Sequence, residues 1–147
     1  MTVNTGTGQL WVLGHLVRPI ETAGDYGLLA IVSRPEVPGP PPHHHPDAAE
    51  LFYIVDGRLD VMLDGQWRTL GPGESLTVPT GGVHTFINRG ERDASWITAF
   101  SPRGFERFFT AFGVPAEADD AFAQSVSEAM IQRVGATCAQ YGMIIAV

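Results

Sequence analysis

Between residues 10 and 100 the chain alternates short apolar runs with clusters of glycine, proline and aspartate. The pattern predicts β-strands over 10–17, 26–33, 50–55, 58–63, 66–70, 75–78, 83–88 and 95–100. Asp56-Gly57 and Asp64-Gly65 predict hairpin turns, because glycine accepts the positive φ such turns require. Residues 71–74 and 79–82 predict two further tight turns, and the proline-rich stretch 38–42 reads as a stiff extended entry to the next strand. Eight strands at this spacing imply an all-β, antiparallel double sheet of the jelly-roll barrel type.

After Pro102 the period changes. Phe105, Phe108, Phe109 and Phe112 fall on one face of a helix that Gly113-Val114-Pro115 ends. A second helix is predicted over 117–134, with Phe122, Val126, Met130 and Val134 on one side and Gly135 as its C-cap or break. Tyr141–Ile145 predicts a closing strand within 141–147. The expected organisation is one domain over 1–147, with the barrel at about 10–100 and the C-terminal helices at 103–135.

The composition narrows the class. The chain has 147 residues, 44% of them hydrophobic and 17% charged, which is the balance of a folded globular protein and excludes a solvated disordered one. A net charge of −7 argues against a nucleic-acid groove or an anionic membrane surface. No apolar run is long enough to span a bilayer, and the first residues lack the basic and apolar regions of a secretory leader. One cysteine, Cys138, excludes an intramolecular disulfide framework and suits a small buried apolar position in a reducing compartment. The expectation is a cytoplasmic protein without nucleic-acid or membrane partners. All nine basic residues are arginine, a bias of composition without functional content.

Candidate chemistry concentrates in His43-His44-His45-Pro46-Asp47-Ala48-Ala49-Glu50. In extended chain, residues i and i+2 share a face about 6.6 Å apart, so His43 and His45 can reach one ion while His44 points away. A chain turning through Pro46-Asp47 returns the Glu50 carboxylate to that face, and His84 supplies a third imidazole after a Gly-Gly turn. Three imidazoles and a carboxylate suit one divalent transition ion, whether Fe, Mn, Ni, Cu or Zn. A histidine run can also be solvated, but this one lies mid-chain between prolines. His15 belongs to no motif and is expected to be structural or at the surface.

Two motifs carry a resemblance. H-x-H-x4-E-x6-G is filled by His43, His45, Glu50 and Gly57, and G-x5-P-x-G-x2-H-x3-N by Gly73, Pro79, Gly81, His84 and Asn88. Together they resemble the two motifs of the cupin superfamily, and with the C-terminal Phe-Glu-Arg-Phe-Phe the chain looks like the bacterial quercetin-dioxygenase-like monocupins. One departure is Gly39, which stands four residues before His43 where the family's glycine stands six before, with three prolines between. The resemblance implies a jelly roll with His43, His45, Glu50 and His84 as metal ligands, and Glu50 also as base.

The implied reaction is metal-dependent dioxygenation of an aromatic or enolic, flavonol-like small molecule by O2. Strand alternation places Phe52 and Ile54 with Glu50, and Phe86 with His84; Met62, Trp96 and Phe100 complete the expected substrate pocket. Such walls leave few charged groups for a phosphosugar. The alternatives are a non-oxidative metal-dependent cyclase or isomerase, or a binding barrel without turnover. Leu51, Tyr53 and Val55 make the opposite strand face apolar as well, which predicts a homodimer, while the C-terminal helices serve either as a contact or, through residues such as Phe109 or Met130, as a lid on the barrel mouth.

Overall fold

The computed structural model of the chain describes residues 8–146. Its strands are β1 (Leu10–Val12), β2 (His15–Ile20), β3 (Gly27–Ser33), β4 (His43–His44), β5 (Ala49–Asp56), β6 (Leu59–Leu63), β7 (Gln66–Leu70), β8 (Ser75–Val78), β9 (His84–Ile87), β10 (Ala94–Ser101), β11 (Val114–Pro115) and β12 (Ile144–Ile145). The helices are α1 (Glu106–Phe112), α2 (Ala121–Ser125) and α3 (Glu128–Thr137), followed by a 3-10 turn, Cys138–Tyr141. Residues 1–7 and Val147 of the expected 1–147 domain lie outside the described residues.

The strands form two antiparallel sheets, one in the order β11-β1-β2-β3-β10-β5-β8 and the other β12-β4-β9-β6-β7. Period-two alternation decides what each sheet buries: β3 and β10 bury every second residue. The inner faces meet in a core that includes Val17, Leu29, Phe52, Ile54, Leu59 and Val61, all fully buried. Each such side chain contributes about 1.5–3 kcal/mol on leaving water. Cys138 is buried among these apolar groups, as expected. Among the described residues no helix is long and apolar enough to cross a membrane.

Several boundaries differ from expectation. The strand predicted over 10–17 is a hairpin, because Leu13 and Gly14 take positive φ values of 48° and 86° and fold β2 back on β1. Asp64-Gly65 does form the hairpin predicted for it, joining β6 to β7. Asp56-Gly57 does not: β5 pairs with β10 and β8, whereas β6 pairs with β7 and β9, so this turn carries the chain from one sheet to the other. Gly57 is required there on two counts, since its φ is +79° and a Cβ would lie 2.5 Å from the Asp93 carbonyl oxygen.

The C-terminal region departs further. The helix predicted over 117–134 is two helices, broken where Ser127 turns extended and its hydroxyl accepts the Met130 N–H as an N-cap. Val126, expected on the apolar face, is exposed at the break. Gly135 neither caps nor breaks; it lies inside α3. The closing strand shortens to Ile144–Ile145, which pairs with β4 and brings the C-terminus back to the histidines.

Candidate metal centre

The two sheets bring the motif residues together from opposite sides. His43 on β4 stands directly across from His84 on β9, so both rings project from one sheet on the same side. Glu50 projects from β5 in the other sheet, and the Thr98 hydroxyl on β10 donates to its Oε2 at 2.7 Å. His45 follows β4 immediately. The ligand nitrogens of His43, His45 and His84 all lie within 4.8 Å of one another, and all three residues are buried. Glu50 is not a member of that three-way group, but its Oε1 sits 2.9 Å from His84 Nε2 and 3.2 Å from His45 Nε2. His44 turns the other way and is half-buried.

Each of the three rings is held by a backbone carbonyl. His43 Nδ1 donates to Pro41, His84 Nδ1 to Gly82 and His45 Nδ1 to Gly142, every distance being 2.9 Å. A carbonyl only accepts, so each Nδ1 carries a proton and each Nε2 faces the barrel interior, where that of His84 donates to Glu50 Oε1 at 2.9 Å. That is the outer-shell arrangement of metal-binding histidines. His45 Nε2 is buried and, among the described residues, has no hydrogen-bond partner, although it lies 3.2 Å from Glu50 Oε1. A lone pair left in this way, beside two more imidazoles and a carboxylate, fits a divalent transition ion.

The protonation states follow the same geometry. Burial pushes the His43 pKa down, with the neighbouring His84 charge adding to it, to about 3. Burial also opposes charge on His84, but the hydrogen bond and charge of Glu50 outweigh it and raise the pKa. Burial would raise the Glu50 pKa; contact with His45 and His84 reverses that and holds the carboxyl well below its usual range. Without an ion, His84 and Glu50 therefore form a buried ion pair.

A cavity of about 50 Å³ adjoins these groups. Phe52, Phe86, Trp96 and Phe100 line it as the alternation predicts, with the Phe52 and Trp96 rings stacked 5.0 Å apart. Ile54 and Met62 do not line it. Ile54 shares the inward face of β5 but is packed in the core away from the cavity. Met62 is buried but lies on the face of β6 opposite Leu59 and Val61, and its Sδ accepts the Gly65 N–H.

Sequence reasoning assigned none of the α1 phenylalanines to the pocket and offered Phe109 only as part of an alternative lid. Phe105, Phe108 and Phe109, at the start of and along α1, line the cavity, and the Phe105 ring lies 4.1 Å from that of His45. Periodicity had identified their common face but not the surface it covers. Met130, the other residue expected at the barrel mouth, does not line the cavity but packs on the core from α3. His15, which no motif includes, takes the structural of its two expected places and is buried in the wall: its Nε2–H donates to the Pro38 carbonyl, and its Nδ1 accepts from Ser33, which in turn accepts from Trp96. Alternation of His15 with Val17 along β2 is the signal that could have found it. Asn88 of the second motif is structural, since its amide donates to the Ser33 and Arg92 carbonyls.

Comparison with known proteins adds context to this geometry. The sequence profile of the Cupin domain family matches residues 33–100, which include all four motif side chains. Polyketide synthase CurC of Streptomyces cyaneus is 38% identical over 60 residues, covering 41% of this chain and 39% of its own length. Quercetin 2,3-dioxygenase of Bacillus subtilis is 33% identical over 75 residues, covering 51% of this chain and 22% of its own. The chain thus spans less than half the length of either. KdgF from Halomonas sp. superposes with a TM-score of 0.57 at 28% identity, over 61% of this chain and 80% of that one.

Proposed function

The chain belongs to the cupin superfamily, and from that premise we propose that it is a metal-dependent enzyme acting on an enolic or phenolic aromatic small molecule, with O2 as co-substrate. The reading rests on one observation: the Nε2 atoms of three buried imidazoles converge beside a buried carboxylate in an aromatic cavity. A divalent Fe, Mn, Ni, Cu or Zn ion held by His43, His45, His84 and Glu50 would supply Lewis acidity and, for the redox-active ions, a path for electrons from substrate to O2.

The chain's own groups do the rest. Thr98 fixes Glu50 Oε2, so Oε1, which faces His84 and His45, is the oxygen placed to take the proton of the substrate hydroxyl. The aromatic walls exclude water from the resulting enolate. The enolate supplies the electrons, both oxygen atoms enter the organic product, and no external reductant is consumed.

The test is oxygen uptake by protein loaded with each candidate ion, against a panel of flavonols and β-diketones. Uptake is expected for at least one pair, and Glu50→Gln is expected to lower it at least a hundredfold. The similarity to polyketide synthase CurC supports a second reading, ring closure or isomerisation of an enolisable substrate. A product of unchanged mass, formed without oxygen, would establish it. Ligand-induced thermal stabilisation without turnover would reduce the protein to a binding barrel. The reading also includes a cytoplasmic homodimer through the outer face of β5, where Tyr53 and Val55 are 40% and 52% exposed. Light scattering measures the assembly.

A further inference from the structure

The cavity beside the histidines is too small for the substrate class just proposed. At about 50 Å³ it has room for a few waters, whereas pockets that enclose drug-sized molecules run to about 300 Å³ and more. A second cavity of about 350 Å³ lies outside it, between the β1–β2 turn, the proline-rich segment and α3. Leu13, Pro40 and Met143 line both cavities and so form the partition between them. Two of the three are suited to giving way: Met143 is a flexible thioether, and Leu13 sits at a φ of 48°, in a turn and not in a ladder.

Gly135 supplies an independent observation. It lies inside α3, where glycine is the least favoured residue after proline. Neither usual reason for a glycine holds there. Its φ is not positive, and a Cβ would meet nothing within 4 Å. The space it leaves opens onto the outer cavity, whose wall includes Gly135 with Val134 and Ile131. A larger residue at 135 would fill that space.

We propose that the outer cavity is the binding chamber for the apolar body of an aromatic small molecule, kept open by Gly135, with Leu13 and Met143 as the gate through which its reactive end reaches the histidines. The identification of the occupant rests on the preceding functional reading; the existence of an apolar ligand chamber does not. The single-residue thickness of the partition, whose Leu13, Pro40 and Met143 face both cavities, favours a small molecule over a protein partner. A second copy of the chain seated on Ile131 is the competing occupant, since that side chain is 55% exposed.

The test uses N-phenyl-1-naphthylamine, a neutral probe that fluoresces in apolar sites, on the full chain loaded with Zn²⁺. Saturable binding, competed by a flavonol, is expected for the wild type. Gly135→Phe should weaken probe binding at least tenfold with unchanged metal stoichiometry and far-UV circular dichroism. Ile131→Asp alters the rim without entering the core, so it stands in if Gly135→Phe misfolds, and should weaken binding about threefold to tenfold. The proposal is overturned if the wild type binds no probe, if folded Gly135→Phe or Ile131→Asp binds it like the wild type, or if either variant dissociates a dimer. Absence of oxygen uptake with probe binding still sensitive to residue 135 would sink the dioxygenase reading and leave the chamber standing.

Discussion

His43 and His84 are oriented by their own turns, each through a carbonyl two residues upstream, whereas His45 is oriented by a carbonyl 97 residues away. The first two depend on the barrel wall alone. The third depends on the C-terminal segment that carries Gly142 back to the barrel mouth, and it is also the ring that Phe105 packs against. A centre assembled this way is half rigid and half conditional: two Nε2 atoms are aimed by local backbone, and the third is aimed only while the C-terminal segment is docked. Docking and metal affinity are therefore coupled through His45.

The largest expected effect breaks the rigid half. His84→Ala removes a ring and also the positive charge that faces Glu50, leaving a carboxylate buried without its ion partner. Removing one member of such a pair costs about 3–5 kcal/mol. Urea unfolding should show that loss in apo protein, and elemental analysis should show metal falling to background. The conditional half has its counterpart in Phe105→Ala. This ring packs on His45, Phe100 and Phe108 at centroid distances of 4.1, 4.9 and 5.0 Å. Its removal should cost about 3 kcal/mol, the low end for a buried phenylalanine because the site lies at the barrel mouth. Thermal unfolding measures the loss.

Gly142→Ala sharpens the comparison, since it disturbs the remote anchor and leaves every histidine in place. Gly142 holds a φ of +91° after the Cys138–Tyr141 turn, where an alanine is strained. The strain tilts the peptide whose carbonyl accepts from His45 Nδ1. Outer-shell changes of this kind cost about tenfold to a hundredfold in metal affinity. Competition against a chelator of known strength should place Gly142→Ala in that range. An unchanged affinity would mean that His45 is aimed by packing and not by the Gly142 carbonyl.

The division between the two halves also governs how much of the molecule was legible in the sequence. The wall was legible because alternation, turn residues and both motifs act over a few positions: Phe52, Phe86, Trp96 and Phe100 reach the cavity as the period of two requires. Ile54 and Met62 failed for physical reasons, depth along β5 in one case and the inward register of Leu59 and Val61 in the other. β4 escaped prediction because a two-residue strand made of histidines has no apolar period to read. The β1–β2 turn escaped because leucine is not a turn-forming residue, yet Leu13 holds a φ of 48°. The apolar period continues across the break between α2 and α3, which is why one helix was expected where two form. A helical face shows that Phe105, Phe108 and Phe109 must bury, yet nothing in the spacing says that they close the barrel over His45.

The smallest effect tests how far the coupling extends along the C-terminal segment. Ser127→Ala removes the hydroxyl that accepts the Met130 N–H at the start of α3. Such a cap is worth about 1 kcal/mol. α3 packs Val134 into the core and leads directly into the turn that ends at Gly142, so fraying its first turn loosens the segment without touching the anchor itself. If docking of the segment is cooperative, the melting temperature should fall by a few degrees while metal affinity stays within twofold, because the docked population remains close to complete. A several-fold drop in affinity would instead mean that the segment is only marginally docked, with His45 released in a sizeable fraction of molecules. The ratio of the two responses, compared with that of Gly142→Ala, separates an anchor that fails locally from a segment that undocks as a whole.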